Sequence, residues 1–158
     1  MTAADQGVSA CPLGTGQPAA GQQGRTHQQI FISLPIADLA KSMAFFTALG
    51  YSFDPQSTTD ATACIAITPT TTVMLMTQAK FRELTPRAAC DTSKHAEVLF
   101  SLTCASRQEV DELAARAVAA GGTMDRPEDF GFMYTHGFTD IDGHGWGLVC
   151  VGEPPTAA

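Results

Sequence analysis

Basic side chains are scarce in this chain: nine Lys and Arg stand against sixteen Asp and Glu, for a formal net charge of −7. Nucleic-acid binding needs clustered cations that displace condensed counterions, and no run of Lys or Arg occurs, so no nucleic-acid partner is expected. The acidic balance fits simple solubility better than the recruitment of a cationic ligand. No apolar run approaches the length that spans a bilayer, and no basic segment followed by an apolar core stands at the N-terminus. Neither a membrane partner nor a secretory signal is therefore expected. The five cysteines, Cys11, Cys64, Cys90, Cys104 and Cys150, are odd in number, widely scattered and form no CxxC pair. That disfavours a disulfide framework or a zinc knot, and points to reduced thiols in a cytoplasmic protein.

Motifs that announce chemistry are also missing. There is no G-x-S-x-G, no HExxH and no phosphate loop. Gly14-Thr15-Gly16 follows no strand and lacks a third glycine, so it is not a dinucleotide loop. Asp140-x-Asp142 begins like a calcium loop, but Val151 stands where the bidentate Glu is required.

What is present is a repeat. Residues 1–26 are rich in Gly, Ala, Gln and Thr and have almost no large apolar side chains, which reads as a flexible tail. A domain is expected over 27–152, followed by a short C-terminal tail at 153–158. In module one, 27–77, Ile30-Phe31-Ile32-Ser33-Leu34 reads as a strand. Asp38 then caps a helix carrying Leu39, Met43, Phe46 and Leu49, which Gly50 stops. Short strands follow at Tyr51–Phe53, Ala61–Thr68 and Thr72–Met76. A connector spans 78–94, with one helical turn expected around Phe81 and Leu84. Module two, 95–152, repeats the order. Glu97–Leu102 reads as a strand, and Ser106-x-x-Glu109 as a capping box. Val110, Leu113, Ala114, Ala117 and Val118 form a helical stripe ended by Gly121-Gly122. Strands at Thr123-Met124, Phe132–Phe138 and Trp146–Val151 complete the unit. Neither copy has a comfortable core alone, so the two should pack together or against a second chain.

Two stretches carry a resemblance to a known family. One is Leu34-Pro35-Ile36-Ala37-Asp38-Leu39-x-x-Ser42-x-x-Phe45-Phe46-x-x-Leu49-Gly50; the other is Asp142-Gly143-His144-Gly145-Trp146. With Phe130-Gly131-Phe132-Met133-Tyr134 between them, residues 29–151 resemble the vicinal oxygen chelate superfamily of glyoxalases, bleomycin-resistance proteins and extradiol dioxygenases. The resemblance implies an α+β fold of two paired βαβββ modules. They form a curved mixed sheet around a ligand cleft with helices on the outer face, usually in a homodimer.

The resemblance also implies where a metal would sit: on the first and last strands of each module. Those positions read as Phe31, then Val73 to Met76, then Glu97, then Gly147. Phenyl and glycine donate nothing, and thioethers suit zinc, nickel or manganese poorly. One ligand of four is left where about three are needed, so no metal and no cofactor is expected. The leading expectation is a protein that binds a small organic molecule in a cleft lined by Phe31, Ser33, Glu97, Leu99 and His136. Glu97 and His136 are the candidates for acid–base work, Glu97 because a carboxylate in an apolar cleft is held protonated more easily. Strand alternation is expected to put His95 on the same face as Glu97. His144 is expected to bond the turn backbone. The alternatives are a metal-dependent glyoxalase-type lyase or isomerase, or an extradiol-type dioxygenase, using Glu97 and nearby His, or a non-catalytic interaction module.

Overall fold

The computed structural model describes residues 25–152. The tails read at 1–26 and 153–158 lie outside the described residues, except for Arg25 and Thr26. Module one runs β1 (Ile30–Ile36), α1 (Leu39–Ala48), a 3-10 turn (Pro55–Ser57), β2 (Thr62–Thr68) and β3 (Thr71–Thr77). A short helix, α2 (Gln78–Leu84), opens the connector. Module two runs β4 (Leu99–Thr103), α3 (Arg107–Ala119), β5 (Thr123–Met124), β6 (Glu128–Asp129), β7 (Met133–Thr139) and β8 (Gly145–Val151).

The internal repeat extends to the hydrogen bonds. In each module the first strand pairs in parallel with the last, which pairs antiparallel with the strand before it. Helix α1 starts at Asp38, whose carboxylate accepts the Lys41 N–H; α3 starts at Ser106, whose hydroxyl accepts the Glu109 N–H. Glu109 reaches back to the Ala105 N–H, one residue earlier than in the usual capping box. Both helices end on a glycine with positive φ, Gly50 at 102° and Gly121 at 105°. The next residue in each case donates back into the last turn, Tyr51 to Phe46 O and Gly122 to Ala117 O. Each end is thus a Schellman stop that satisfies carbonyls the helix leaves free.

Three expectations change in detail. The strand read at Tyr51–Phe53 is a single bridge, Phe53 to Ile65, because the chain turns at once into the 3-10 turn capped by Asp54. The strand read from Glu97 begins two residues later, at Leu99. The mixed sheet is divided into a three-stranded sheet, β1-β3-β2, and a five-stranded sheet, β4-β8-β7-β5, with β6 on the side of β7. Strands β1 and β4 each keep one edge outside these ladders.

A single core joins the modules. Leu34, Ile36, Phe45, Phe46, Ile65, Val73 and Leu75 from the first pack with Phe100, Val110, Ala114, Phe138, Trp146 and Leu148 from the second. Trp146 is its centre. Phe100 stacks on the indole at 4.4 Å, Phe138 lies parallel at 6.1 Å, and Phe46 of module one meets its edge at 5.3 Å. Offset and edge-on contacts of this kind add to the area each ring buries.

Gly122 sits where the two modules close. A Cβ there would lie 2.6 Å from Thr139 O and 3.1 Å from both Ala117 O and the Phe45 ring. Backbone cannot yield as a flexible side chain does. Gly122→Ala is expected to destabilise the fold by about 1–3 kcal/mol, read as a lower denaturation midpoint at unchanged m-value.

Candidate functional site

The loop between β7 and β8 organises the module junction. Asp140 Oδ1 accepts the N–H groups of Asp142 (3.0 Å) and His144 (2.9 Å), and its Oδ2 accepts the Trp146 indole N–H at 2.9 Å. Asp142 reaches into module one, where Oδ1 accepts the Ala37 N–H at 2.7 Å and Oδ2 accepts the Ser42 hydroxyl at 2.5 Å. Gly143 turns the chain at φ 88° and packs against Thr92, whose hydroxyl donates to Asp142 O at 2.6 Å.

His144 is buried between the modules. Its Nε2 lies 3.0 Å from Pro35 O on β1, and its Nδ1 lies 2.5 Å from Glu97 Oε1. The Glu97 contact is an ion-pair approach without hydrogen-bond direction, which leaves Nδ1 short of a well-aligned partner. The imidazole bonds the backbone of the other module, where its own turn was expected to receive it.

Glu97 therefore differs from its expected role. It precedes β4, and its carboxylate turns toward His144 at the junction. The strand alternation that was to pair it with His95 does not apply, because residues 95–98 are not in a strand; His95 is exposed. His136 borders the concave side of module two, but its ring lies on the helix side of β7. Nε2 is 3.0 Å from Asp125 O, and Nδ1 is 3.5 Å from Asp111 of α3. Asp111 also accepts the Tyr134 hydroxyl at 2.7 Å. The structure does not bring Glu97 and His136 together.

Phe31, Ser33 and Leu99 lie on the opposite faces of their strands from the core residues. Phe31 is 57% exposed and Leu99 71%. Phe31 and Leu99 border separate hollows, where one cleft was expected, and Ser33 lines neither. The first, about 350 Å³, lies between Phe31, Cys64, Ala66, Thr72 and the Asp54–Ser57 turn. The second, about 510 Å³, is walled by Leu99, Ser101, Thr135 and Thr139, with Asp125, Arg126 and Glu128 among its lining. Gly145, Gly147 and Gly137 also line it, and Gly137 and Gly147 are direct partners in the β7–β8 ladder. That glycine pair was missed from the sequence. Glycines alternating along β8, at 145 and 147, were its only trace. A larger groove of about 600 Å³ lies on the helical side among Ala37, Lys41, Ala44 and Ala48, away from these residues.

The repeat fixes which positions correspond. Phe31 and Leu99 each precede their helix cap, Asp38 or Ser106, by seven residues. Ser33 pairs with Met74 as Ser101 pairs with Gly147. Leu99, and not Glu97, is thus the counterpart of Phe31, and Met74 the counterpart of Gly147. Phe31, Met74, Leu99 and Gly147 include no oxygen or nitrogen side-chain donor. Among the described residues, no group of three or more His, Cys, Asp or Glu converges as a metal site would require. The residues present do not fit the divalent ion that the family resemblance implies.

Comparison with known proteins agrees with this architecture. The sequence model of the Glyoxalase/Bleomycin resistance protein/Dioxygenase superfamily matches residues 28–148. The chain belongs to that superfamily, the vicinal oxygen chelate proteins. Among solved structures, hypothetical protein SA1046 from S. aureus is 28% identical, with a TM-score of 0.68, covering 80% of this chain and 95% of that one. A glyoxalase/bleomycin resistance protein/dioxygenase family enzyme from Burkholderia phytofirmans PsJN is 16% identical, with a TM-score of 0.65 over 77% of this chain and 96% of its own. The genomically encoded fosfomycin resistance protein FosX from Listeria monocytogenes is 18% identical, with a TM-score of 0.58 over 82% and 97%. The last two show likeness of fold alone. No curated protein matches by sequence. No described helix is long and apolar enough to cross a membrane.

Burial holds the Asp140 carboxyl above its ordinary value of 3.8, while His144 and the bonds from Trp146, His144 and Asp142 pull the other way. A carboxyl raised on folding contributes stability that is full below 3.8 and is lost as pH rises through the folded value. Asp140→Asn removes that titration. Wild-type stability relative to the Asn variant is expected to fall as pH climbs above about 4, measured by urea unfolding of both chains from about pH 3 to about pH 7.

Proposed function

We propose that this protein binds a small organic molecule in the hollow on the concave face of module two, without a resident metal. It would act as a homodimer, as the family resemblance implies, and in the cytoplasm, where its scattered cysteines would stay reduced. The observation that carries the reading is the set of side chains at the four corresponding strand positions: Phe31, Met74, Leu99 and Gly147. Where a metal centre would place carboxylates and imidazoles, this chain places apolar groups and a bare backbone.

The hollow suits a flat ligand with an apolar body and polar substituents. Gly137, Gly145 and Gly147 bring backbone into the lining, with the Asp125 carboxylate packed over Gly137 and Leu99 over Gly145, so a planar ring would meet peptide groups edged by those two side chains. Leu99 supplies an apolar wall, while Ser101, Thr135 and Thr139 offer hydroxyls to orient a polar substituent. Phe31 and Ser33 present the corresponding surface of module one. Glu97 and His136 support the walls from behind in this reading, one through His144 and the other through Asp125 and Asp111.

Two measurements test it. Elemental analysis of protein purified without chelator is expected to find well under one divalent ion per chain; one tightly held ion per chain would overturn the reading. Anilinonaphthalene sulfonate, a planar aromatic probe, is expected to bind the wild type, and Gly147→Val to raise its Kd about tenfold, equivalent to ~1.4 kcal/mol. Unchanged binding in a folded Gly147→Val variant would place the probe elsewhere and count against the hollow.

A further inference from the structure

We propose that Cys104 and Cys150 form a dithiol redox site that closes reversibly to a disulfide between β4 and β8. The ladder places them. Thr103 opposite Val149 is the last registered pair, and the Cys104 N–H donates to Val149 O at 2.8 Å, so the parallel pairing continues to Cys104 opposite Cys150. Adjacent strands lie about 4.8 Å apart, inside the ~4.4–6.8 Å between Cα atoms that a disulfide spans. Alternation puts both thiols on the side of Leu102 and Leu148, and both pack against the core cluster. Each is half-buried, so a small oxidant can reach them. Strand β4 ends at Thr103 and β8 one residue beyond Cys150, which leaves the chain room to draw the two sulfurs together.

The surroundings distinguish the two thiols. Burial pushes the Cys104 thiol up, and Glu109 and Cys150 add to the effect, so Cys104 resists becoming a thiolate. Cys150 faces Tyr134 on its other side, and the Arg107 guanidinium lies 5.0 Å over the Tyr134 ring. That leaves Cys150, beside Tyr134 and away from Glu109, as the thiol that meets the oxidant first. With hydrogen peroxide as oxidant, the Cys150 thiolate attacks one oxygen and the O–O bond breaks. This gives a sulfenic acid on Cys150 and releases hydroxide. The Cys104 sulfur then attacks the Cys150 sulfur; the S–S bond forms, the S–O bond breaks, and oxygen leaves as water with the thiol proton. Two thiols and one peroxide become one disulfide and two waters.

Cys104 also walls a cavity of about 460 Å³ between the modules, shared with Ile32, Tyr51, Val73, Glu109 and Leu113. The oxidation state of the pair is thus felt at the module junction as well as within one sheet.

The test treats the reduced full chain with about one equivalent of hydrogen peroxide, blocks remaining thiols and digests with trypsin. Fragments 95–107 and 117–158 are expected to emerge linked, about two mass units lighter than their sum, and to separate on addition of dithiothreitol. Cys104→Ser is expected to stop at a sulfenic acid on Cys150 that dimedone captures. Cys150→Ser is expected to leave Cys104 reduced at the same dose. Circular dichroism checks that both variants fold, and Cys→Ala variants replace any that do not. A sulfenic acid without linkage in the wild type would overturn the proposal. So would linkage through Cys64 or Cys90, or equal oxidation of all thiols.

Discussion

Two carboxylates three bonds from the backbone hold this molecule's halves in register. Asp140 folds the β7–β8 turn onto itself and orients the indole of Trp146. Asp142 carries the same turn across to the start of α1 through Ala37 and Ser42. Every larger feature leans on that arrangement. The indole that Asp140 orients is the ring around which Phe46, Phe100 and Phe138 pack. The loop that Asp142 anchors sets where β8 begins, and hence where Gly145 and Gly147 fall. Desolvating a carboxylate is costly, and at Asp140 the donors fixed by the fold offset only part of that cost, so burial still holds its carboxyl raised.

A duplicated unit need not keep duplicated chemistry. The two modules share strand pairing, cap position, helix stop and a serine, Ser33 or Ser101, on the first strand, yet differ at the positions beside it. Phe31 is matched by Leu99 and Met74 by Gly147. Backbone constraints such as a glycine at positive φ are demanded by geometry in both copies. At the positions facing away from the core the two copies diverge, Phe31 from Leu99 and Met74 from Gly147, because no turn or cap fixes a residue type there.

Much of the architecture was legible because local chemistry and global fold agree. Asp38, Ser106, Gly50, Gly121 and the Asp-Gly step each serve the role their residue type favours. Legibility failed where a tertiary contact decided the outcome. Glu97 has the alternating neighbours of a strand residue, but its carboxylate is drawn to His144, forty-seven positions later in the chain, and β4 starts after it. Counting from that strand start put Glu97, where the structure puts Leu99, in the position that corresponds to Phe31. His136 follows the expected alternation along β7, yet which face of the sheet meets α3 is a matter of packing. The hollow's glycine floor depends on β7 and β8 being paired so that Gly137 meets Gly147, a register no single segment encodes.

Pro35 has one further consequence. It lies near the end of β1, whose other side is outside the ladder. Lacking an N–H, it offers an incoming strand no donor, and its carbonyl is already engaged by His144. An extended segment from another molecule that tried to zip along β1 would find both halves of the peptide pattern withheld at that residue. The contact that joins the modules also guards this edge against runaway strand addition between molecules.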